Sequence, residues 1–132
     1  MYDMYIKRFN ENFDNFKPKF KTSIVDNFTV LIGKDSKSND YLTFNMSDED
    51  DLWFHIKGKP GAHLILKIKN ELPTNDVIKK VAKLAVENGK ASGTSNDVVY
   101  CKCKFVKKRK GMNDGQVEVD YNNANVITVY TN

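Results

Sequence analysis

The apolar residues of this chain recur in short runs rich in β-branched and aromatic residues, as is typical of β-strands, and the run "DVVYCKCKFV" alternates between apolar and polar positions. The segment "FKPKFKTSIVDNFTVLIGK" contains two such runs around Asp26-Asn27, a residue pair that tolerates left-handed backbone angles. We therefore predict a hairpin whose second arm ends at Gly33. The runs "LWFHI", "AHLILKI", "DVVYCKCKFV", "QVEVDY" and "NVITVY" predict further strands.

Two other segments have the properties of helices. In "LPTNDVIKKVAKLAVENGK" the apolar residues follow a helical spacing, at Val77, Val81, Leu84 and Ala85. Thr74 or Asn75 is expected to cap the start of this helix and Gly89 its end. A short helix is predicted in "DSKSNDYLTFNMS", where Ser36 or Ser38 offers a start. Strand runs interrupted by one long and one short helix predict an α+β fold with a largely antiparallel sheet.

The chain length fits a single domain, since 132 residues suffice for one hydrophobic core. No segment repeats at a fixed period, and no low-complexity linker divides the chain. We assign residues 1–17 to an N-terminal extension and residues 18–132 to the domain. No apolar run reaches the ~20 residues of a membrane span, and "MYDMYIKRFNENF" lacks the apolar core of a secretory signal. We therefore expect a cytoplasmic protein without a membrane partner.

The stretch "DLWFHIKGKPGAHLILK" fixes a register if it forms a hairpin. Its aliphatic and phenyl residues all have even numbers, namely Leu52, Phe54, Ile56, Ala62, Leu64 and Leu66. Both arms bury this set together if the residues between Ile56 and Ala62 form the loop. This register places His55 opposite His63, and Trp53 beside Ile65, on the other face. Because opposed histidines disfavour two like charges, we expect at most one to be protonated near neutral pH.

The face that carries Trp53 and His55 allows two interpretations. An indole, an imidazole and the ammonium group of Lys57 on one open face would stack a base and contact phosphate. Alternatively, a helix covers this face and buries the tryptophan. Alternation along one strand does not distinguish the two.

The charge of the chain is modest, +4, but unevenly distributed. Residues 102–110, "KCKFVKKRK", here called the basic segment, hold five lysines and one arginine without an acidic residue. The run "DEDD" at residues 48–51 concentrates four acids. The basic segment is either a solvated charged surface or a stripe that contacts phosphates. The candidates for phosphate contact are Lys102, Lys104, Lys107, Lys108, Arg109 and Lys110.

The two cysteines, Cys101 and Cys103, lie two residues apart on one predicted strand, a separation of about 7 Å and too far for an unstrained disulfide. We expect reduced, buried thiols that share a face with Val99 and Phe105. Two distant histidines do not complete a ligand set with them, so neither a metal nor another cofactor is predicted.

Catalytic signatures are absent from the sequence: there is no nucleophile elbow, no phosphate loop and no zinc-protease motif. His55 or His63 with Asp51 would supply a general base for a hydrolase or nuclease, but no activated nucleophile accompanies them. We predict that the chain is not an enzyme.

Three segments together resemble the NFACT-R domain, the RNA-binding module of the NFACT proteins. "DLWFHIKGKPGAH" is similar to the family's Asp-x-Trp-Phe-His followed by Pro-Gly-Ser/Ala-His. "VLIGKDSKSND" and "VKKRKGMNDGQV" resemble its Gly-Arg-Asn/Ser-x-x-x-Asn-Asp/Glu and Val-Lys-Lys-x-x-Gly-x-x-x-Gly segments. Motif positions are occupied here by Gly33, Lys34, Asn39, Asp40, Asp51, Trp53, His55, Pro60, Gly61, His63, Lys107 and Lys108. Lys34 stands where arginine is usual and Asp35 where a neutral polar residue is usual, and Asp35 makes this surface less basic.

The NFACT proteins include the eukaryotic ribosome quality-control factor and bacterial proteins often labelled fibronectin-binding proteins. The resemblance implies an RNA-binding module, here in a chain of its own, for tRNA or rRNA in translation or ribosome quality control, with the ribosome as a further partner. The RNA-binding candidates beyond the basic segment are Lys34, Asn39, Asp51, Trp53, His55 and His63. The alternative is a protein-interaction module that docks on a ribosomal or NFACT-like partner. The sequence does not define an oligomeric state.

Overall fold

The structure, a computed structural model, describes residues 5–6 and 15–131. Most of the predicted N-terminal extension, residues 1–17, therefore lies outside the described residues. The elements are β1 (Tyr5–Ile6), β2 (Phe20–Val25), β3 (Phe28–Gly33), α1 (Ser36–Asn45), β4 (Leu52–Ile56), β5 (Leu64–Leu66), α2 (Asn75–Glu87), β6 (Ser95–Lys102), β7 (Val106–Arg109), β8 (Glu118–Val119) and β9 (Asn125–Tyr130). Single 3₁₀ turns cover Cys103–Phe105 and Tyr121–Asn123.

Six strands form the main sheet, in the order β2-β3-β5-β4-β6-β9, and every neighbouring pair is antiparallel. β1, β7 and β8 form a second, small antiparallel sheet. The predicted α+β class is confirmed, with a single domain built from a largely antiparallel sheet, one long helix and one short helix.

The first hairpin follows the sequence prediction. β2 and β3 pair from Phe20 opposite Gly33 to Val25 opposite Phe28, so the turn is Asp26-Asn27. Both turn residues have positive φ, 50° at Asp26 and 151° at Asn27. The φ of Asp26 lies in the left-handed region, which Asp and Asn adopt more readily than most residues, and this favours a reversal of the chain here.

The long helix begins as predicted but ends for a different reason. Thr74 is its N-cap, and the Thr74 hydroxyl accepts a hydrogen bond from the Val77 amide at 3.2 Å. At the other end, α2 stops at Glu87 with Asn88 as the C-cap. Gly89 follows, but its φ is not positive, so it is not a left-handed cap. A glycine is required there because a Cβ would lie 2.8 Å from a methyl carbon of Ile56.

The main sheet is covered on both faces, and each face has its own core. On the α2 face, Phe54, Leu64 and Leu66 pack with residues of α2, namely Val77, Val81, Ala82, Ala85 and Val86. On the α1 face, Trp53 and Ile65 pack with Leu42 of α1 and with residues of the C-terminal third, namely Val99, Cys101, Cys103 and Val106. The even and odd positions of the 51–67 hairpin therefore lie on opposite faces, as the register predicts. The face that carries Trp53 is covered.

Two predicted strands are shorter than their apolar runs. The run "AHLILKI" forms only the three-residue strand β5. The run "DVVYCKCKFV" leaves the main sheet after Lys102. The Cys103 amide still donates to the Asp51 carbonyl at 2.8 Å, in register with β4, and a 3₁₀ turn over Cys103–Phe105 follows. The chain then enters the small sheet as β7, so the basic segment is not one continuous strand.

Candidate nucleic-acid interface

The predicted hairpin register is confirmed. Trp53 pairs with Ile65 and Phe54 with Leu64 across β4 and β5. The imidazole rings of His55 and His63 lie on one face with centroids 5.5 Å apart, in an edge-to-face arrangement. Sequence periodicity was sufficient for this geometry, because a slip by one residue would exchange aliphatic and imidazole side chains between the faces.

His63 is buried in a polar site between α1 and β5. The Thr43 hydroxyl lies 2.9 Å from its Nδ1, and its backbone amide donates to Asn39 Oδ1 at 3.1 Å. Burial, together with the neighbouring His55, lowers the pKa of His63 to about 3. Burial also lowers the pKa of His55. Both imidazoles are therefore neutral near pH 7, in line with the expectation that no more than one carries a proton.

Trp53 does not present its ring to solvent. Only 1% of the residue is exposed, and its ring is stacked on His55 at 5.7 Å and contacts the edge of His63 at 5.2 Å. The interpretation of an open stacking face is therefore corrected: the alternative, a covered tryptophan, is what the structure has. Among Trp53, His55 and His63, only His55 is partly exposed.

Asp51 is a buried connector. Its carboxylate accepts hydrogen bonds from the Ile68 amide at 2.7 Å, from the Asp48 amide at 2.8 Å and from Lys67 Nζ at 2.5 Å. Each of these partners lies at a strand end or in the preceding turn, so the side chain joins the start of β4 to the end of β5. Within the described part of the chain these bonds include none to an imidazole, so the His-Asp pair of the hydrolase hypothesis is not assembled.

Lys108 and Asp40 form a buried ion pair that joins distant parts of the chain. Lys108 Nζ lies 2.9 Å from Asp40 Oδ2, and both side chains are less than 5% exposed. The same ammonium donates to the carbonyls of Asn113 and Gln116, and Asp40 Oδ2 accepts from the Gly115 amide at 3.1 Å. These bonds fold residues 109–116 against α1. Sequence analysis predicted that Lys108 belongs to an exposed, phosphate-contacting stripe. The structure corrects this, because the ammonium group of Lys108 faces inward.

The other members of the basic segment lie nearer the surface. Lys102 and Lys104 are exposed, with their ammonium groups 3.4 and 3.6 Å from Asp50. Arg109 pairs with Glu118 across β7 and β8 at 3.1 Å. Lys107 and Lys110 are exposed. The "DEDD" run therefore partly neutralises the first two lysines, whereas Lys107 and Lys110 have no ion pair with the described residues.

Asn39 and Gly33 fit together at the junction of β3 and α1. A Cβ on Gly33 would overlap the amide oxygen of Asn39, so only glycine allows the helix to approach this closely. Asn39 is buried and acts on His63 as described, while Lys34 is exposed. The N-cap of α1 is Asp35, whose carboxylate accepts from the Ser38 amide at 2.8 Å. Hydrogen bonding by the Ser38 side chain, and next by this amide, lowers the pKa of Asp35.

A cleft of about 610 Å³ opens beside this junction. One wall is the start of α1 with Lys34 and Asn39; the other is the loop at Pro60–Ala62 with residues 88–90 after α2. Lys21 and Lys90 also line it, and sequence analysis did not single them out. No local signal marked them, because they lie in the first hairpin and after the long helix and meet Lys34 only in the folded chain.

The cysteines behave as small core residues. Cys101 and Cys103 are buried and form no disulfide with each other, as the prediction of reduced, buried thiols requires. Burial raises the pKa of the Cys101 thiol to about 12, so it stays protonated. Among residues 15–131, no three His, Cys, Asp or Glu side chains are grouped as a metal site would need.

The described helices include none with the length and apolarity of a membrane span.

Comparison with known protein families gives one match that covers most of the chain. Residues 16–121 match the family described as NFACT protein RNA binding domain. The chain is also similar to the Rqc2 homolog RqcH of Bacillus subtilis (strain 168), at 35% identity over 101 residues, which is 76% of this chain and 17% of that protein. It is 27% identical over 106 residues to coiled-coil domain-containing protein 25 of Mus musculus, which is 74% of this chain and 50% of that protein.

Among solved structures, the chain is similar to the C-terminal part of the fibronectin/fibrinogen-binding protein from Streptococcus suis. The TM-score is 0.76 at 29% identity, and the match covers 88% of this chain and 46% of that chain. The chain thus spans only a part of each of these relatives.

Proposed function

Because the chain belongs to the NFACT RNA-binding-domain family, we propose that it binds tRNA or rRNA in a translation or ribosome quality-control setting and has no catalytic step of its own. The observation that carries the proposal is the family match over residues 16–121. We assign the RNA-binding domain to residues 18–132 and treat residues 1–17 as an extension. The similarity to two Rqc2 homologs of bacteria and archaea supports the setting.

The contacts of this module are assigned to the exposed members of the motif segments. Lys107 and Lys110 project from the basic segment without acidic partners in the described chain, and Lys102 and Lys104 extend the same charge. Lys34, which is exposed, and His55, which is partly exposed, complete this set. Asn39, Asp51, Trp53, His63 and Lys108 act through the framework that positions this surface, since all five are buried.

Binding of this kind is electrostatic and depends steeply on salt. Each phosphate that a lysine neutralises releases condensed counterion, so the logarithm of affinity falls linearly with the logarithm of salt concentration. Exchanging Lys107 and Lys110 for alanine removes two exposed charges without touching the buried pair. We expect the slope for tRNA to flatten by roughly one to two units.

Fluorescence anisotropy with labelled tRNA across a salt series measures this slope. The matched control exchanges Lys69 and Lys79 for alanine, which are also exposed but lie outside the basic segment. The assignment of the basic segment fails if the two double variants have the same slope. The function itself fails if the unmodified chain binds no RNA at low salt.

A second candidate, a protein-interaction module, is favoured by the edge strand β9. In the described main sheet β9 has a partner on one side only, and Val126 and Tyr130 on it are 47% and 77% exposed. An edge with unpaired backbone groups and exposed apolar side chains is a template for strand addition by another chain. Ribosome association that survives nuclease treatment and varies little with salt would favour this candidate over RNA binding.

A further inference from the structure

The cleft beside the start of α1 has a built wall on each side. On one side, the Gly33 amide donates to the His63 carbonyl at 3.1 Å and Asn39 fills the space next to Gly33. On the other side, the Lys90 amide donates to the Pro60 carbonyl at 2.8 Å. The backbones of Gly61 and Gly89 approach so closely that a Cβ on Gly61 would lie 3.0 Å from the Gly89 Cα. The loop and the end of α2 are therefore joined directly.

Three lysines from separate elements converge on this cleft. Lys21 comes from β2, Lys34 from the junction of β3 and α1, and Lys90 from the segment after α2, and all three are exposed. Helix α1 begins at the cleft, so the positive end of its dipole adds to their charge. Asp35 is the acid among the lining residues, and its carboxylate is engaged with the Ser38 amide.

The described lining contains no aromatic side chain and offers chiefly lysine, glycine and small polar groups. Such a surface lacks a platform for base stacking, which sequence-tolerant single-strand binding sites otherwise use. The cleft is open to solvent, and its volume is about 610 Å³, within the range of small-ligand clefts. Charge without stacking groups fits the phosphates and sugars of a nucleic acid better than its bases.

We propose that this cleft is a phosphate-binding subsite that holds the sugar-phosphate backbone of RNA through Lys21, Lys34 and Lys90. The proposal rests on the RNA-binding function proposed above and adds a second contact area, separate in sequence from the basic segment. It assigns the cleft no base preference, so RNAs of different sequence bind it alike.

The first test removes the converging charge. The triple variant with Lys21, Lys34 and Lys90 exchanged for glutamine is compared with a matched triple variant at Lys69, Lys79 and Lys83, which are exposed elsewhere. We expect the cleft variant to lose affinity for both oligouridylate and oligoadenylate, on the order of tenfold or more, with a salt slope flatter by roughly two units. Thermal unfolding of both variants should match the unmodified chain, since all six side chains are exposed.

The second test strengthens binding, which a structural defect would not do. Asp35→Asn removes the acid of the cleft yet keeps a good N-cap, because asparagine caps helices as well as aspartate does. We expect affinity for both oligonucleotides to rise by roughly threefold to tenfold, following the loss of one repelling charge. Glu71→Gln, at an exposed loop position outside the cleft, is the matched control and is expected to leave affinity unchanged.

The outcomes separate this proposal from the function it rests on. If the unmodified chain binds RNA but the cleft variant and the control variant at Lys69, Lys79 and Lys83 have equal affinity, the cleft proposal is wrong. The proposed RNA-binding function then still stands. No RNA binding by the unmodified chain overturns both proposals.

A titration with uridine monophosphate, followed through the amide chemical shifts of Ser36, Gly61 and Gly89, distinguishes a nucleic-acid phosphate from a free mononucleotide. Saturation by the monophosphate without any response to the oligonucleotides identifies a mononucleotide site and also overturns the proposal.

Discussion

The two faces of the main sheet are held by different chemistry. The α2 face is held mainly by apolar packing: a helix with one aliphatic stripe packs on Phe54, Leu64 and Leu66. The α1 face has an apolar cluster around Trp53 but also contains buried polar groups, namely Asn39, Asp40, Thr43, Asp51, His63 and Lys108. Most of the residues that resemble the family motifs lie on this second face. The motif is therefore largely a description of internal bonds that fix α1 and residues 109–116, and only its exposed members are available to a ligand.

The difference between the faces should be largest when one buried charge loses its partner. Lys108→Ala leaves Asp40 without its ammonium, and we expect a loss of about 3–5 kcal/mol in the free energy of unfolding. Lys107→Ala, one residue away and exposed, is the matched control and should change stability by less than about 0.5 kcal/mol. Urea denaturation followed by circular dichroism measures both. Equal effects of the two substitutions would mean that the Lys108–Asp40 pair is not buried in solution.

A pair of neighbouring substitutions tests whether both faces are packed cores. Leu64 and Ile65 are fully buried and point to opposite faces of β5. Truncation of either to alanine leaves a cavity, so we expect a loss of roughly 2–5 kcal/mol in each case. Denaturation midpoints of the two variants give the comparison. A loss below about 1 kcal/mol for Ile65→Ala alone would indicate that the α1 face is loosely covered.

Between pH 7.5 and pH 5, the smallest expected effect is a dependence of stability on pH that comes from the α1 face. The pKa of His63 is about 3 in the folded chain and 6.5 in the unfolded one, so the unfolded chain takes up the proton first. Stability is therefore present above pH 6.5 and falls by about 1.4 kcal/mol per pH unit below it, toward pH 3. The groups that face this ring are His55, itself neutral, and Lys108, whose charge also disfavours protonation.

Unfolding free energies between pH 7.5 and pH 5 check this slope. His63→Gln should remove most of it, whereas Leu64→Ala on the opposite face should keep it. His55→Gln is expected to reduce the slope by a smaller amount, because burial lowers the pKa of His55 as well. An unchanged slope in the His63 variant would show that this ring is not held neutral by burial.

The sequence was sufficient to predict those elements whose apolar residues follow a single strand or helix periodicity. The even-numbered apolar residues of the 51–67 hairpin predicted its register, and the stripe of α2 predicted the helix with its Thr74 cap. It did not separate Lys107 from Lys108, because inward and outward positions of β7 both carry lysine. The partner that draws Lys108 inward, Asp40, lies 68 residues earlier in the chain. The cleft was missed for the same reason, since its lysines come from three distant segments.

The burial of Trp53 has a consequence for the order in which the chain becomes structured during synthesis. Its neighbours Leu31, Leu42 and Ile65 are made early or soon after it, but Cys101, Cys103 and Val106 belong to the final third of the chain. At a synthesis rate of about 5–20 residues per second, these later residues are added on the order of seconds after Trp53. Until then, one side of the indole ring has no packing partners. Trp53 is the single tryptophan of the sequence. Its fluorescence therefore reports the packing of the C-terminal third against the indole ring, which is a late step in folding.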